Sequence, residues 1–233
     1  MSSLCDKLQT VGVDISNSES HAQRKQNSVQ LLAVSKRHPA SAIREAYHCG
    51  QRIFGENYVQ EMLKKAEALT DLDIQWHFIG SLQSNKTRVV AQTADWVHTV
   101  DRFKIAKRLN DQRPSHLPPL SICLQVNICE EDSKSGVLVK ELPILVAEIA
   151  KLTNIRLRGL MVIPKAESNS DRQREVFATV RKLQEKLNRD NASQGIILDT
   201  LSMGMSGDMQ AAITEGATIV RIGTAIFGER DTL

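Results

Sequence analysis

The sequence lacks the features that mark membrane, secreted and nucleic-acid-binding proteins. No apolar run approaches the length of a membrane-spanning helix. The first ten residues contain no basic segment followed by an apolar core, so we expect no secretory signal. No block of five like charges occurs, and the net charge is only +3. We therefore expect neither a membrane nor a nucleic acid among the partners of this chain.

Cysteine is also scarce and carries no metal-binding spacing. Four cysteines are present, and none belongs to a Cys-x-x-Cys pair or lies near a histidine pair at zinc spacing. We therefore predict no metal site. Cys123 and Cys129 fall at the two ends of a predicted strand, a placement typical of packed thiols. This cysteine usage favours a reducing compartment, and the expected location is the cytoplasm.

A regular alternation of strand and helix patterns begins at residue 29. Seven helical segments separate the predicted strands, and a leading helix is predicted within 4–25. Eight such units favour a single α/β domain over 1–233, a (β/α)8 TIM-type barrel with an extra N-terminal helix. The predicted strands are 31–35, 52–55, 76–79, 96–99, 122–128, 157–163, 198–202 and 218–222.

The alternative fold is a Rossmann-like open sheet with helices on both faces. Such a sheet has a Gly-x-Gly-x-x-Gly turn after its first strand when it binds a dinucleotide. The turn here is 36–39, Lys-Arg-His-Pro, which contains no glycine. The closed barrel is therefore the preferred prediction.

Lys36 stands at the end of the first apolar strand. Strand residues alternate between faces, so Leu32, Val34 and Lys36 point the same way. Pro39 then opens the next helix. A lysine at this turn can supply a Schiff-base amine or a phosphate ligand, whereas the ordinary alternative is a side chain that reaches solvent from a strand end. From this segment alone the ordinary reading is favoured, because lysines are mostly exposed.

The residues at the ends of the last two predicted strands favour a functional interpretation of Lys36. Active sites of barrels lie at the C-terminal ends of the strands, and phosphate often binds after strands seven and eight. Ser206 is predicted to cap the helix 209–214, where its hydroxyl and the first amides would form an anion site. Gly223 and Thr224 can bring backbone N–H groups and a hydroxyl to the same phosphate. A plain helix cap and a tight turn are the alternatives for each part alone, but their combination favours phosphate.

Arg221 lies two residues before Gly223 and should face the barrel interior as well. A buried arginine needs a partner, and a carboxylate at the barrel rim is the alternative to a ligand. A lysine amine, a phosphate site and an arginine around one barrel mouth suggest pyridoxal 5′-phosphate (PLP). Arginine only donates hydrogen bonds, so a ring nitrogen paired with it would stay unprotonated.

Five motifs in this order closely resemble the pyridoxal phosphate homeostasis proteins, over roughly 29–230. The resemblance implies a barrel like the N-terminal domain of alanine racemase, with Lys36 holding PLP as an imine. It implies that Ser206, Gly223 and Thr224 hold the phosphate and that Arg221 meets the ring nitrogen. It also implies that Asn57 lies near the cofactor. The motifs are Leu-Ala-Val-Ser-Lys at 32–36, Phe-Gly-Glu-Asn-Tyr at 54–58, Trp-His-Phe-Ile-Gly-Ser-Leu-Gln-Ser-Asn-Lys at 76–86, Ser-Met-Gly-Met-Ser at 202–206 and Val-Arg-Ile-Gly-Thr-Ala-Ile-Phe-Gly at 220–228.

A carrier and a weak enzyme are the two functions that fit this resemblance. A racemase of this fold needs a second acid–base group, which an added β-domain of a partner subunit supplies in the resembling enzyme. The last predicted strand ends near Ile222 and the sequence stops at Leu233, so we expect no such domain here. We therefore expect a monomeric protein with no catalytic residues that buffers PLP and related vitamin B6 forms and delivers PLP to apo-enzymes. The alternative is a weak, racemase-like PLP enzyme acting on amino acids.

Two further residues near the predicted barrel mouth have ordinary interpretations. His77, next to Trp76, is expected to pack within its strand and not to act as an acid or base. Lys134 lies in a polar stretch after the fifth strand, at 130–136, which is expected to be a mobile loop and not a phosphate ligand.

Overall fold

The computed structural model describes residues 2–128, 135–165 and 167–228, and within these ranges eight parallel strands close into a barrel. Pairing of the first strand with the last, and of the fourth with the fifth, completes the ring. The predicted TIM-type barrel is therefore confirmed. The strands are β1 (Gln30–Val34), β2 (Ile53–Glu56), β3 (Gln75–Phe78), β4 (Trp96–Val100), β5 (Leu120–Asn127), β7 (Ile155–Met161), β8 (Thr200–Ser202) and β9 (Ile219–Ile222), with a short extra strand β6 (Val137–Leu138) paired to β5 outside the ring.

Helices surround the barrel in the order expected from the alternation. None in the described part of the chain is long and apolar enough to cross a bilayer. The helices are α1 (Leu4–His21), α2 (Ala40–His48), α3 (Val59–Ala68), α4 (Thr87–Thr93), α5 (Phe103–Gln112), α6 (Leu142–Ile149), α7 (Ser170–Asp190), α8 (Met209–Thr214) and α9 (Thr224–Phe227), with short 3₁₀ turns at Ser84–Lys86, Val139–Glu141 and Ala192–Gln194.

The two faces of each strand build two separate apolar layers. On β1, Ala33 faces outward and packs in the large core between the sheet and the helices, which also contains Ile43 of α2. Leu32 faces inward and packs with Trp96 and Met161 inside the barrel. Each fully buried aliphatic side chain contributes roughly 1.5–3 kcal/mol to folding. The alternation predicted around Lys36 is therefore present in the structure.

The N-terminal helix α1 packs across the outside of the barrel against α2, α8 and α9. Its first turn is fixed by a capping box, in which Ser3 and Asp6 each accept the other's backbone N–H. A disulfide joins Cys5 of α1 to Cys49 at the end of α2, with Cα atoms 5.3 Å apart, a pairing that was not predicted from the sequence and that does not favour a reducing compartment. Cys123 is a buried free thiol, as predicted, whereas Cys129 lies outside the described residues.

Three details differ from the sequence predictions. Ser206 is not the N-cap of α8; Asp208 holds that position, and its carboxylate accepts the N–H of Met205 at 2.5 Å. The prediction was wrong because Gly204, at φ +97°, turns the chain before the helix begins. Strand β8 begins at residue 200 because Leu198 is hydrogen-bonded through both backbone groups to Asn188 of α7. The elements β6 and α9 are too short to show any periodicity in sequence.

Candidate functional site

A cavity of about 470 Å³ opens at the C-terminal ends of the barrel strands. This volume lies within the range of small-molecule sites, and its position is the one that barrel enzymes use. The structure brings every sequence-predicted site residue to this one cavity. These residues are Lys36, Asn57, Ser206, Arg221, Gly223 and Thr224.

Lys36 lies two residues after the end of β1 and is half-buried at the cavity wall. Val34, two residues earlier, lines the same cavity, while Leu32 packs deeper in the barrel. Strand alternation therefore directs the lysine to the mouth, as the sequence predicts.

A buried charged cluster fixes the backbone on both sides of Lys36. Lys65 of α3 donates to the carbonyl of Ser35 at 2.9 Å and to Oε1 of Glu56 at 2.7 Å. Ser35 Oγ donates to the same Glu56 oxygen at 2.6 Å. On the other side, the N–H of Arg37, whose φ is +63°, donates to Glu61 at 3.0 Å. Groups outside the cavity therefore restrain the backbone on both sides of Lys36 and orient its side chain toward the cavity.

Glu56 is the unusual member of this cluster. Its side chain is fully buried, and burial raises its pKa to about 7 despite the charge of Lys65, which acts in the opposite direction. Its second oxygen, Oε2, has no hydrogen-bond partner within the described residues. The sequence reasoning missed Glu56 and Lys65, although Glu56 lies in the motif at 54–58.

Arg221 lies on β9 and is buried at the base of the cavity. Its Nη1 donates to the carbonyl and the hydroxyl of Ser202, at 2.6 and 3.0 Å, and its Nη2 donates to the carbonyl of Val162 at 2.9 Å. Burial lowers its pKa to about 10, so it remains a cation at neutral pH. No carboxylate in the described ranges forms a direct ion pair with it, but the carboxylate of Asp208, just before α8, attracts its charge and opposes the effect of burial on its pKa.

Behind Arg221, buried polar side chains continue into the barrel. Ser202 Oγ lies 2.7 Å from His98 Nδ1, and His98 Nε2 lies 2.9 Å from His77 Nδ1. Burial lowers the pKa of His77 to about 3 and that of His98 well below its usual value, so both rings are neutral. His77 also stacks on Trp96, with ring centroids 5.4 Å apart. His77 thus packs within its strand as expected, but it also belongs to a hydrogen-bonded chain that the sequence did not reveal.

Small and polar groups from β8–α8 and β9–α9 also line the cavity. Gly223 approaches β1 so closely that a Cβ would lie 3.1 Å from the carbonyl oxygen of Val34. Thr224 begins α9, and the first N–H groups of a helix have no acceptor within it. Ser206 and Thr224 are exposed, and the Ser206 hydroxyl is not used as a helix cap. The N–H groups of Ile226 and Phe227 donate to the carbonyl of Gly223, so the donors that suit an anion here are the two hydroxyls and the N–H groups at the start of α9.

Asn57 completes the cavity from the turn after β2. Its Oδ1 is buried and has no hydrogen-bond partner within the described residues. Its backbone lies against Gly80, where a Cβ would overlap the Asn57 carbonyl, so the position of Asn57 is tightly restricted. An unpaired buried acceptor is costly unless a ligand supplies a donor.

Comparison with known proteins gives the family. A family profile for the N-terminal domain of alanine racemase matches residues 14–231. The pyridoxal phosphate homeostasis protein of Pseudomonas aeruginosa is 52% identical over 231 residues, which cover 99% of this chain and 97% of that protein. The chain belongs to the pyridoxal phosphate homeostasis protein family. The resemblance seen in the five sequence motifs is thereby confirmed.

Solved structures agree with this family assignment. PipY of Synechococcus elongatus, solved with PLP bound, matches with a TM-score of 0.84 at 38% identity, over 97% of this chain and 100% of PipY. An alanine racemase of Clostridium difficile matches with a TM-score of 0.72 at 11% identity, over 95% of this chain and 57% of the racemase. The second likeness shows the shared barrel alone. The curated relatives are named for pyridoxal phosphate homeostasis and not for a reaction.

One sequence prediction falls outside the described part of the chain. Lys134 lies outside the described residues. Clusters of ligating side chains that could hold a metal ion are absent from the described ranges.

Proposed function

We propose that this chain binds PLP in the cavity at the barrel mouth and buffers and delivers it, with 1–233 acting as one alanine-racemase-like domain. One observation carries the proposal: a lysine amine, a buried arginine and a set of anion donors meet in one cavity. The names of the relatives and the PLP bound to PipY support it. The role belongs to intracellular vitamin B6 homeostasis.

Lys36 is the proposed covalent attachment point. Its Nζ would replace the aldehyde oxygen of PLP to form an imine, with release of one water, and water would reverse the step. A reversible link suits storage, because free aldehyde stays low while a tighter site can still draw it out. The buried cluster around Glu56 and Lys65 holds the lysine toward the cavity throughout.

The phosphate group fits the side of the cavity built by 206–207 and 223–224. The hydroxyls of Ser206 and Thr224 and the N–H groups at the start of α9 would donate to it. Gly223 leaves the backbone open on this side, because no Cβ stands between β1 and β9.

Arg221 and Asn57 fit the remaining polar groups of the cofactor. Arg221 only donates, so a ring nitrogen facing it accepts a hydrogen bond and stays unprotonated. An unprotonated ring withdraws electrons weakly, which favours storage over amino-acid chemistry. Asn57 Oδ1, the unpaired acceptor, would receive a donor from the ligand.

The recipients of PLP in this proposal are apo-enzymes that depend on it, and the carrier acts as a monomer. The decisive experiment mixes PLP-loaded protein with an apo-enzyme and follows regained activity, with a scavenger of free PLP to separate direct transfer from release. Lys36→Ala should lose the visible imine band, whereas Lys104→Ala, an exposed lysine on α5, should keep it. Borohydride should fix the cofactor to the peptide containing Lys36, and an adduct elsewhere would refute the assignment.

The alternative, a weak racemase-like enzyme, is tested on the same preparation. We expect no stereoinversion, decarboxylation or transamination of common amino acids at rates typical of enzymes, about 1–10³ per second. Turnover in that range would replace the carrier proposal.

A further inference from the structure

Three polar side chains cross the interior of the barrel, where apolar side chains fill the surrounding space. His77 on β3, His98 on β4 and Ser202 on β8 are all completely buried. Leu32 and Met161 are among the apolar residues of the same interior. Burying a polar group costs free energy unless it is hydrogen-bonded. Aliphatic residues would fill this space at a lower desolvation cost, so we infer that the three polar side chains have a role beyond packing.

The hydrogen bonds of this chain follow one direction. Arg221 only donates, so Ser202 Oγ accepts from Nη1 at 3.0 Å. The single hydroxyl hydrogen of Ser202 then goes to His98 Nδ1 at 2.7 Å, which leaves the ring hydrogen of His98 on Nε2. That Nε2–H donates to His77 Nδ1 at 2.9 Å, and His77 Nε2–H donates to Gln75 Oε1 at 3.1 Å. Every nitrogen and oxygen in the chain has its partner in this arrangement.

The opposite direction is disfavoured by electrostatics. It would turn the Nδ1–H of His98 toward Ser202 and the Arg221 cation, and the hydroxyl hydrogen of Ser202 would need another acceptor. In the direction described, an electron-rich atom of each member points toward Arg221. Both imidazoles are kept neutral by burial, so they act on Arg221 as dipoles. The groups outside this set that act on the pKa of Arg221 by charge are Asp208 and Cys123, which both oppose the effect of burial.

We propose that His77, His98 and Ser202 are positioning residues that hold the Arg221 guanidinium and offset part of its charge at the ring nitrogen of PLP. The contact with PLP rests on the proposed function, whereas the donor-to-acceptor direction of these hydrogen bonds is a property of the protein alone. The other acceptors of Arg221 are the backbone carbonyls of Ser202 and Val162. The Ser202 hydroxyl is therefore the side-chain acceptor through which the barrel interior reaches Arg221.

The direction of the hydrogen bonds from Arg221 to His77 is tested first on protein without PLP. Nitrogen-15 NMR of labelled histidine distinguishes a ring protonated at Nε2 from one protonated at Nδ1. We expect His77 and His98 both to be neutral and protonated at Nε2 around pH 7. A hydrogen on Nδ1 of either ring, or a charged ring, would overturn the proposed direction.

The effect on Arg221 is tested on PLP-loaded variants by the pH titration of the visible band. His98→Leu removes the acceptor for Ser202, so more of the Arg221 charge reaches the cofactor. A nearby positive charge disfavours protonation of the cofactor. The pH midpoint of the visible band should therefore move to lower pH by roughly 0.5–1 unit, the equivalent of one neutral hydrogen bond. His98→Asn places an acceptor oxygen where Nδ1 lies and should return the midpoint toward that of the unmodified protein.

A matched control separates this effect from general loss of stability. Thr87→Val removes a buried hydroxyl that bonds Ser84 and Gln112 outside the barrel interior, so it should leave the midpoint unchanged. The proposal would be overturned if the pH midpoint of the visible band did not move in His98→Leu. It would equally be overturned if the midpoint moved as far in Thr87→Val, or if His98→Asn did not restore it. If the unmodified protein bound no PLP, the proposed function would fail, and the tautomers of the free protein would decide the inference: protonation at Nε2 in both rings supports it, and any other pattern overturns it.

Discussion

Replacing Glu56 with glutamine should remove a pH dependence of folding stability that the wild-type chain carries. The pKa of Glu56 is about 7 in the folded protein, against 4.5 for an unperturbed glutamate. Between these two values the folded chain binds more protons than the unfolded chain, so stability falls as pH rises. Glutamine keeps the shape and an acceptor oxygen for Ser35 and Lys65 but cannot ionise.

The expected size follows from the two pKa values. A difference of about 2.5 units corresponds to roughly 3 kcal/mol, since each unit is worth 1.36 kcal/mol. This contribution is fully present below pH 4.5, declines through the interval and is lost above pH 7. Urea unfolding of the wild-type chain and Glu56→Gln, at half-unit steps from pH 4.5 to 8, gives the difference directly. Groups that do not interact with Glu56 titrate in both proteins and cancel in that difference.

The result that would refute this reasoning is a constant difference between the two proteins across the range. It would mean that Glu56 is already ionised in the folded state at pH 5, with the charge of Lys65 outweighing burial. A difference that grows with pH in the opposite sense would show the same thing more strongly. Thr87→Val, which removes a buried hydroxyl elsewhere and no titratable group, serves as the control and should differ from the wild-type chain by an amount that is constant with pH.

The other predictions concern PLP binding and the Cys5–Cys49 disulfide. Ser206→Ala and Thr224→Ala should each weaken PLP retention roughly tenfold to a hundredfold, the value of a charge-assisted hydrogen bond, and should barely affect unphosphorylated pyridoxal; equal losses in equilibrium dialysis would contradict the phosphate role. Arg221→Gln removes a fixed cation, so the visible band should titrate at higher pH, and an unchanged titration would mean that Arg221 does not meet the ring. Cys49→Ser opens a 44-residue loop and should lower the unfolding free energy of the oxidised chain by up to roughly 4 kcal/mol, measured by urea; no change would show that the bond adds nothing to stability.

Local patterns in the sequence predict much of this site. The alternation of Leu32, Val34 and Lys36 determines which side chains face the barrel, and the same rule places Arg221 on the interior face. These inferences hold because a strand has a fixed period of two, whatever surrounds it. The barrel follows from the count of strand and helix units in the same way.

Contacts between distant segments are what the sequence does not predict. His98 and Ser202 are 104 residues apart, and nothing local to either one indicates that they meet. The Cys5–Cys49 bond likewise depends on how α1 crosses the barrel. The predicted cap at Ser206 fails for a related reason, since the turn at Gly204 and the carboxylate of Asp208 decide where α8 begins.

The pairing of β1 with β9 has a consequence for how binding and folding depend on each other. Lys36 and Thr224 belong to opposite ends of the chain, and they become neighbours only when Leu32 comes opposite Arg221 at the seam of the ring. A ligand that bridges them binds the closed ring and not the open chain, so its binding free energy adds to the stability of closure. In the proposed binding mode, a ligand held by both Lys36 and Thr224 therefore stabilises the pairing of β1 with β9.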